Sequence, residues 1–95
     1  MIDIRHLRYY VALAETLHFG RAAERLHMSQ PPLTRAIAAL ERDLGARLIQ
    51  RNSRRAELTP AGRRFLEDAR LALATFDQAL RNARRAERGE LGALA

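Results

Sequence analysis

The feature that most constrains this sequence is a helix too long for the domain that carries it. Thr59-Pro60 reads as a capping residue followed by proline at the first helical position. Once Gly62 is passed, no breaker interrupts the run before Gly89. At 1.5 Å per residue this predicts a rod roughly 40 Å long. The chain has 95 residues, enough for one small core and an appendage but not for two cores. Along the rod, Phe65, Ala69, Ala72, Phe76, Ala79, Ala83 and Ala86 step by four and three, an unbroken heptad seam. Leu66, Leu73 and Leu80 widen the stripe. Packing on its own domain accounts for positions 65–72 and leaves 76–86 bare. A partner helix is the expected cover, with Phe65, Ala69, Ala72, Leu73, Phe76, Ala79, Leu80 and Ala83 as the contact set. Alanine at most seam positions favours close approach, as in antiparallel pairing, without fixing the orientation.

The residues before the rod divide into three shorter helices and a hairpin. Ile4, Leu7, Tyr10, Val11, Ala14 and Leu17 recur at three- and four-residue steps, one face of an amphipathic helix over 4–17 with Asp3 as its cap. Gly20 breaks the pattern and is expected to cap a short helix over 21–27 that buries Ala22, Ala23 and Leu26. Its paired alanines allow another helix to approach closely. A third helix begins around 29–32 and runs to about Leu44, where Gly45 supplies the stop. Residues 47–51 and 56–59 read as two short strands joined by the polar turn Asn52-Ser53-Arg54-Arg55. The predicted fold is mainly α, a winged helix-turn-helix of three helices and a two-stranded wing, followed by a long pairing or linker helix. The helix-turn-helix spans 19–38 within a domain over 2–59, the wing 47–59 and the rod 60–88, with 89–95 following it.

Charge and composition narrow the function classes. Basic residues outnumber acidic ones 17 to 11, for a formal charge of +6, and every basic residue is arginine. The planar guanidinium fork suits phosphates and guanine edges, although a GC-rich genome explains an absence of lysine equally well. A basic balance also attracts anionic membranes and acidic proteins. The absence of cysteine excludes disulfides and thiolate metal sites. No apolar run approaches the ~18 residues of a membrane span, and the N-terminus has no signal-peptide pattern, so an intracellular chain with no membrane partner is expected. His6, His18 and His27 lack carboxylates at metal-ligand spacing, Ser29 and Ser53 lack a triad context, and no glycine-rich phosphate loop is present. No catalysis, metal or cofactor is therefore expected.

On the third helix, Leu33, Ile37, Leu40 and Leu44 fall within one arc that must face the core. Pro31, Arg35, Ala38 and Arg42 point away, with Gln30 and Thr34 on the flank. The outward face near its start is small and polar, with one long bidentate donor, one amide and one hydroxyl, which suits a major groove. Prolines in a first turn cost no helical bond, because those N–H groups have no partner anyway. They also remove donors that Ser29 or Gln30 would cap, freeing both side chains to bond outward. Taken alone, Ser-Gln-Pro-Pro merely starts a helix. Preceded by a short helix with paired alanines and a tight turn at His27-Met28-Ser29, it completes a helix-turn-helix. The arginines at 51, 54 and 55 then sit on a wing able to reach phosphates or a minor groove. A protein-interaction module built on the rod would leave this face unexplained. An RNA binder would need stacking aromatics, and Tyr9, Tyr10, Phe19, Phe65 and Phe76 fall mostly on core or seam stripes.

These spaced elements resemble the N-terminal domain of LysR-type transcriptional regulators. The resemblance rests on Leu7-Arg8-Tyr9-Tyr10, Ala14-Glu15, Phe19-Gly20-Arg21-Ala22-Ala23-Glu24-Arg25-Leu26, Ser29-Gln30-Pro31-Pro32-Leu33-Thr34-Arg35-Ala36-Ile37, Leu40-Glu41, Leu44-Gly45, Leu48-Ile49-Gln50-Arg51 and Leu58-Thr59-Pro60-Ala61-Gly62, in order. It covers the chain from about Ile2 to the end of the long helix. It implies a bacterial, cytoplasmic regulator whose homodimer reads interrupted palindromes in double-stranded DNA, recognition helices in major grooves and wings at minor grooves. Tetramers are implied for a full-length protein. On this resemblance Gln30, Pro31, Pro32, Thr34 and Arg35 contact base edges, while Ser29, Arg51, Asn52, Ser53, Arg54 and Arg55 serve the backbone and minor groove. The long helix is then the linker that forms the dimer contact. Gly20 stands where Thr or Ser is common, which implies a lost cap, and Ile49 replaces a frequent Phe. Gly89-Glu90-Leu91-Gly92 resembles the hinge that leads into an effector-binding domain, so a fragment that binds DNA without a small-molecule effector is expected.

Overall fold

A computed structural model describes residues 1–51 and 55–90. In chain order these form α1 (Ile4–Thr16), α2 (Phe19–Arg25), α3 (Gln30–Leu44), β1 (Ile49–Arg51), β2 (Ala56–Leu58) and α4 (Pro60–Glu87). This is the mainly helical, winged arrangement that the sequence predicts. The expected turn residues Asn52, Ser53 and Arg54, and the hinge residues Leu91 and Gly92, lie outside the described residues.

Helix α1 is the centre of the fold because α2, α3 and α4 all pack on it. Its start is a capping box: the Asp3 carboxylate accepts from the Arg5 N–H at 2.9 Å, and His6 Nδ1 accepts from the Asp3 N–H at 3.1 Å. Contact with three neighbours buries a wider arc than the spacing of apolar residues suggests. Tyr10, Ala12, Leu13 and Ala14 are all buried, and complete burial of a side chain such as Leu13 contributes about 1.5–3 kcal/mol. Leu17, placed on the buried face by periodicity, is instead the left-handed C-cap at φ 52° and is 39% exposed.

The start of α2 differs from expectation. Gly20 lies inside the first turn, and the cap is His18, whose Nδ1 accepts from the Arg21 N–H at 3.0 Å. A Cβ at position 20 would come within 3.1 Å of His18 Cε1, so glycine leaves room for the capping imidazole. The cap is therefore relocated rather than lost. Ala22 and Ala23 are buried as predicted. The chain turns through His27, at φ 56°, and the Met28 N–H donates to the Ala23 carbonyl at 3.0 Å.

Helix α3 buries Leu33, Ile37 and Leu40 and ends at Gly45, which adopts φ 75°. Leu44, assigned to the core arc, lies in the last turn and is exposed. The wing is shorter than predicted: Ile49 pairs with Leu58, Gln50 with Glu57 and Arg51 with Ala56. Residues 47, 48 and 59 lie outside the two strands, where side chains take over part of the backbone bonding. The Leu48 and Ile49 N–H groups donate to Glu41 Oε2 at 2.7 and 3.0 Å. The Leu48 carbonyl accepts from the Thr59 N–H at 3.0 Å, and Thr59 Oγ1 donates to the Arg47 carbonyl at 2.6 Å. Thr59 Oγ1 also accepts from the Gly62 N–H at 2.9 Å, which caps α4. Here a glycine is required: a Cβ at position 62 would run into the Leu48 carbonyl and the Tyr10 hydroxyl. That close approach lets Tyr10 Oη donate to the Gly62 carbonyl at 2.8 Å. Helix α4 then runs for 28 residues, about 42 Å, and accounts for most of the 56 Å length of the molecule.

Candidate nucleic-acid interface

With Leu33, Ile37 and Leu40 turned inward, the opposite face of α3 is presented to solvent. Ser29, Gln30, Pro31, Arg35, Ala38 and Arg42 are exposed, and Pro32 and Thr34 are half-buried. Ser29 occupies the cap position but its side chain makes no capping bond. The prolines in the first turn have removed donors it would otherwise satisfy. The cap and first two turns of α3 therefore show hydroxyls at Ser29 and Thr34, one amide at Gln30, proline rings and the Arg35 guanidinium.

The wing lies beside this surface. Ile49 and Arg51 are two residues apart and share a face of β1. Ile49 is buried, so Arg51 is turned back over the body of the domain rather than outward. Its guanidinium carbon sits 3.9 Å above the Phe19 ring. Gln30, Arg51 and Arg55 line one hollow of about 250 Å³ together with His18, Phe19 and Gly20. The start of α3 and the described base of the wing thus share one edge. The remaining turn residues of that set, Asn52, Ser53 and Arg54, are outside the described residues.

Several carboxylates are engaged away from this edge. Glu15 accepts from Arg25 at 2.6 Å through one oxygen and from Arg70 at 2.9 Å through the other. The Arg70 and Arg25 bonds hold its carboxyl below the usual carboxylate range. Asp3 is held well below that range by its side-chain bond to Arg5, and Asp43 is lowered by the terminal amine 3.1 Å away. Glu41 is committed to the Leu48 and Ile49 N–H groups. It fixes the base of the wing to α3, a role that nothing in its sequence context signals. Phe19, beneath Arg51, is the other residue of this region that periodicity assigned only to packing. Its position at the first turn of a helix-turn-helix, two elements away from a wing arginine, was the available clue. His6 and His18 both serve as helix-capping acceptors.

The α4 residues expected to meet a partner divide into two groups. Phe65 stacks edge-on against Tyr10 with centroids 5.2 Å apart, and Ala69 is buried, so both are covered within the chain. Leu73 is half-buried, while Ala72, Phe76, Ala79, Leu80 and Ala83 are exposed. Phe76 carries the Arg8 guanidinium 5.8 Å from its ring centroid, and Arg8 donates to Asp77 at 3.1 Å. Beyond this point α4 has no neighbour among the described residues. Leu71 is also exposed and lies off the seam. Among the described residues, no helix is long and apolar enough to cross a membrane.

The fold and this arrangement have close counterparts. The chain is 55% identical over 93 residues to YnfL, an uncharacterized HTH-type transcriptional regulator of Escherichia coli (strain K12). It is equally identical, over the same length, to the HTH-type transcriptional regulator TfdT of Cupriavidus pinatubonensis. Each alignment takes in 98% of this chain but 31% and 41% of the relative, so the chain spans about a third of the length of the curated relatives it matches. Among solved structures, the BenM DNA-binding domain in complex with benA site 1 DNA superposes with a TM-score of 0.89 at 41% identity, covering 93% of this chain and 99% of that one. CbnR, a LysR family transcriptional regulator, superposes at 0.88 with 48% identity, covering 93% of this chain and 30% of that one. The model for the bacterial regulatory helix-turn-helix protein, lysR family, matches residues 4–63, which takes in α1–α3, the wing and the first turn of α4. On its sequence and its fold alike, the chain belongs to the lysR family of bacterial regulatory helix-turn-helix proteins.

Proposed function

We propose that this chain is the sequence-specific DNA-binding part of a bacterial transcription regulator and acts as a homodimer. The observation that carries the reading is the outward start of α3. A cap serine without a capping bond, a glutamine, two prolines and an exposed arginine stand on a helix whose other face is buried. A B-DNA major groove about 12 Å wide admits such a helix. In this reading Gln30, Pro31, Pro32, Thr34 and Arg35 meet base edges. Ser29, Arg51, Arg55, Asn52, Ser53 and Arg54 contact backbone phosphates or enter a minor groove, with the arginines supplying the neutralising charge. The DNA-bound BenM domain, of the same fold at 41% identity, supports this assignment.

Residues 2–59 form the reading domain, 60–88 the pairing helix and 89–95 a hinge. The exposed seam from Ala72 to Ala83 supports pairing through α4. Two domains joined by rods of about 42 Å suit half-sites one helical turn, about 34–36 Å, apart or a multiple of it. The chain performs no catalysis in this reading, and its setting is the bacterial cytoplasm, where the chromosome lies. Gel retardation of a random-sequence duplex pool tests it. Retention that weakens steeply between 50 and 200 mM salt, roughly a thousandfold for about six phosphate contacts, is expected. No retention at low salt would contradict DNA binding.

A further inference from the structure

We propose that Phe19 is a positioning residue for DNA binding: its ring is the platform that aims the Arg51 guanidinium at a backbone phosphate beside the start of α3. This rests on the DNA-binding reading and extends it to a residue that acts through Arg51. Three observations carry it. First, strand alternation turns Arg51 toward the body of the domain, on the same side as buried Ile49 and opposite buried Ala56, where the Phe19 ring lies 3.9 Å from the guanidinium carbon. An arginine on a short strand otherwise samples many rotamers, and holding one costs side-chain entropy.

Second, a ring face restrains the guanidinium without using any of its five N–H donors. A carboxylate partner would hold the arginine equally well but would neutralise the charge and occupy the donors. Among the described residues, no carboxylate forms an ion pair with Arg51. Third, the platform stands at the edge where the interface is assembled. Phe19 and Arg51 line the same hollow as Gln30 and Arg55, so an anion there meets the wing and the start of α3 together. Phe19 is itself anchored, half-buried against the core. Its rigidity is what a flexible arginine lacks.

A double-mutant cycle tests the assignment, with Phe19→Leu, Arg51→Ala and the double variant titrated against a random-sequence duplex by fluorescence anisotropy at several salt concentrations. Phosphate contacts are independent of base sequence, so no operator is needed. Phe19→Leu keeps an apolar side chain and is expected to weaken binding about two- to fivefold, and to lower the magnitude of the salt slope by up to about one. In the Arg51→Ala background the same substitution is expected to change neither quantity. Phe19→Tyr retains the ring face and is expected to bind as the parent does. Thermal unfolding of each variant separates positioning from packing. Equal losses from Phe19→Leu with and without Arg51, or no loss at all, would overturn the platform. A parent chain that binds no duplex would overturn the DNA-binding reading itself, an outcome distinct from either.

Discussion

At the scale of single residues, Arg35 is the side chain whose loss speaks most directly to base reading. It is exposed on the face of α3 opposite Leu33, Ile37 and Leu40, and its reach allows a bidentate contact with a guanine edge. Arg35→Ala is expected to cost about 1–3 kcal/mol on a selected site and to relax preference at one base pair. Comparing affinities for selected and random duplexes checks this, and equal losses on both would contradict a base contact. Tyr10 makes an independent prediction about stability. Burial pushes its phenol up to about 12, whereas an unfolded tyrosine ionises near 10. Between those values the unfolded chain has lost a proton that the folded chain keeps, so stability is whole below pH 10 and falls as pH rises toward 12. In Tyr10→Phe that alkaline loss is expected to shrink. The variant is also expected to be less stable at neutral pH by about 0.5–1.5 kcal/mol, because the bond from the Tyr10 hydroxyl to the Gly62 carbonyl is lost. Urea unfolding from pH 8 to 11 measures both effects. An alkaline loss of full size in Tyr10→Phe would contradict the assignment.

Elements were legible where one periodicity governed them and blurred where a neighbour intervened. The outward face of α3 followed from the 3.6-residue repeat, because one side of that helix is buried and the other bare. The spacing on α1 missed Leu13, since a helix packed by three others is buried over more than one stripe. The start of α2 was misplaced because a histidine cap is not a common signal, and Gly20, which looked like punctuation, lies inside the first turn close to the His18 ring. The wing lost its outer residues to Glu41 and Thr59, side chains whose long-range bonds leave no trace in local pattern. Glu41→Ala removes the acceptor for two N–H groups at the wing base. It is expected to destabilise the domain by about 1–3 kcal/mol, and an unchanged urea midpoint would count against this tether.

The whole molecule divides its work along its length: α3 and the wing at one edge, with α4 projecting away. Glu15 links the two parts, receiving Arg25 of α2 and Arg70 of α4 on its two oxygens. The proposal of a partner helix rests on a heptad seam that outruns the domain. Own-domain cover for the inner seam was legible, and Phe65 and Ala69 are covered within the chain; that Tyr10 supplies the contact to Phe65 was not, since it depends on where α1 lies. Phe76, exposed on the outer seam, is the natural probe of pairing. Phe76→Glu places a charge in the apolar stripe and is expected to shift the chain toward monomer in sedimentation equilibrium; an undiminished dimer would contradict pairing at this position. The account as a whole, a paired reader with its specificity at 30–35 and its spacing set by α4, is tested most directly by sequencing the duplexes that the chain retains from a random pool. Two inverted half-sites at a fixed separation are predicted. Recovery of a pool no different from the input, or of single half-sites with no preferred spacing, would contradict it.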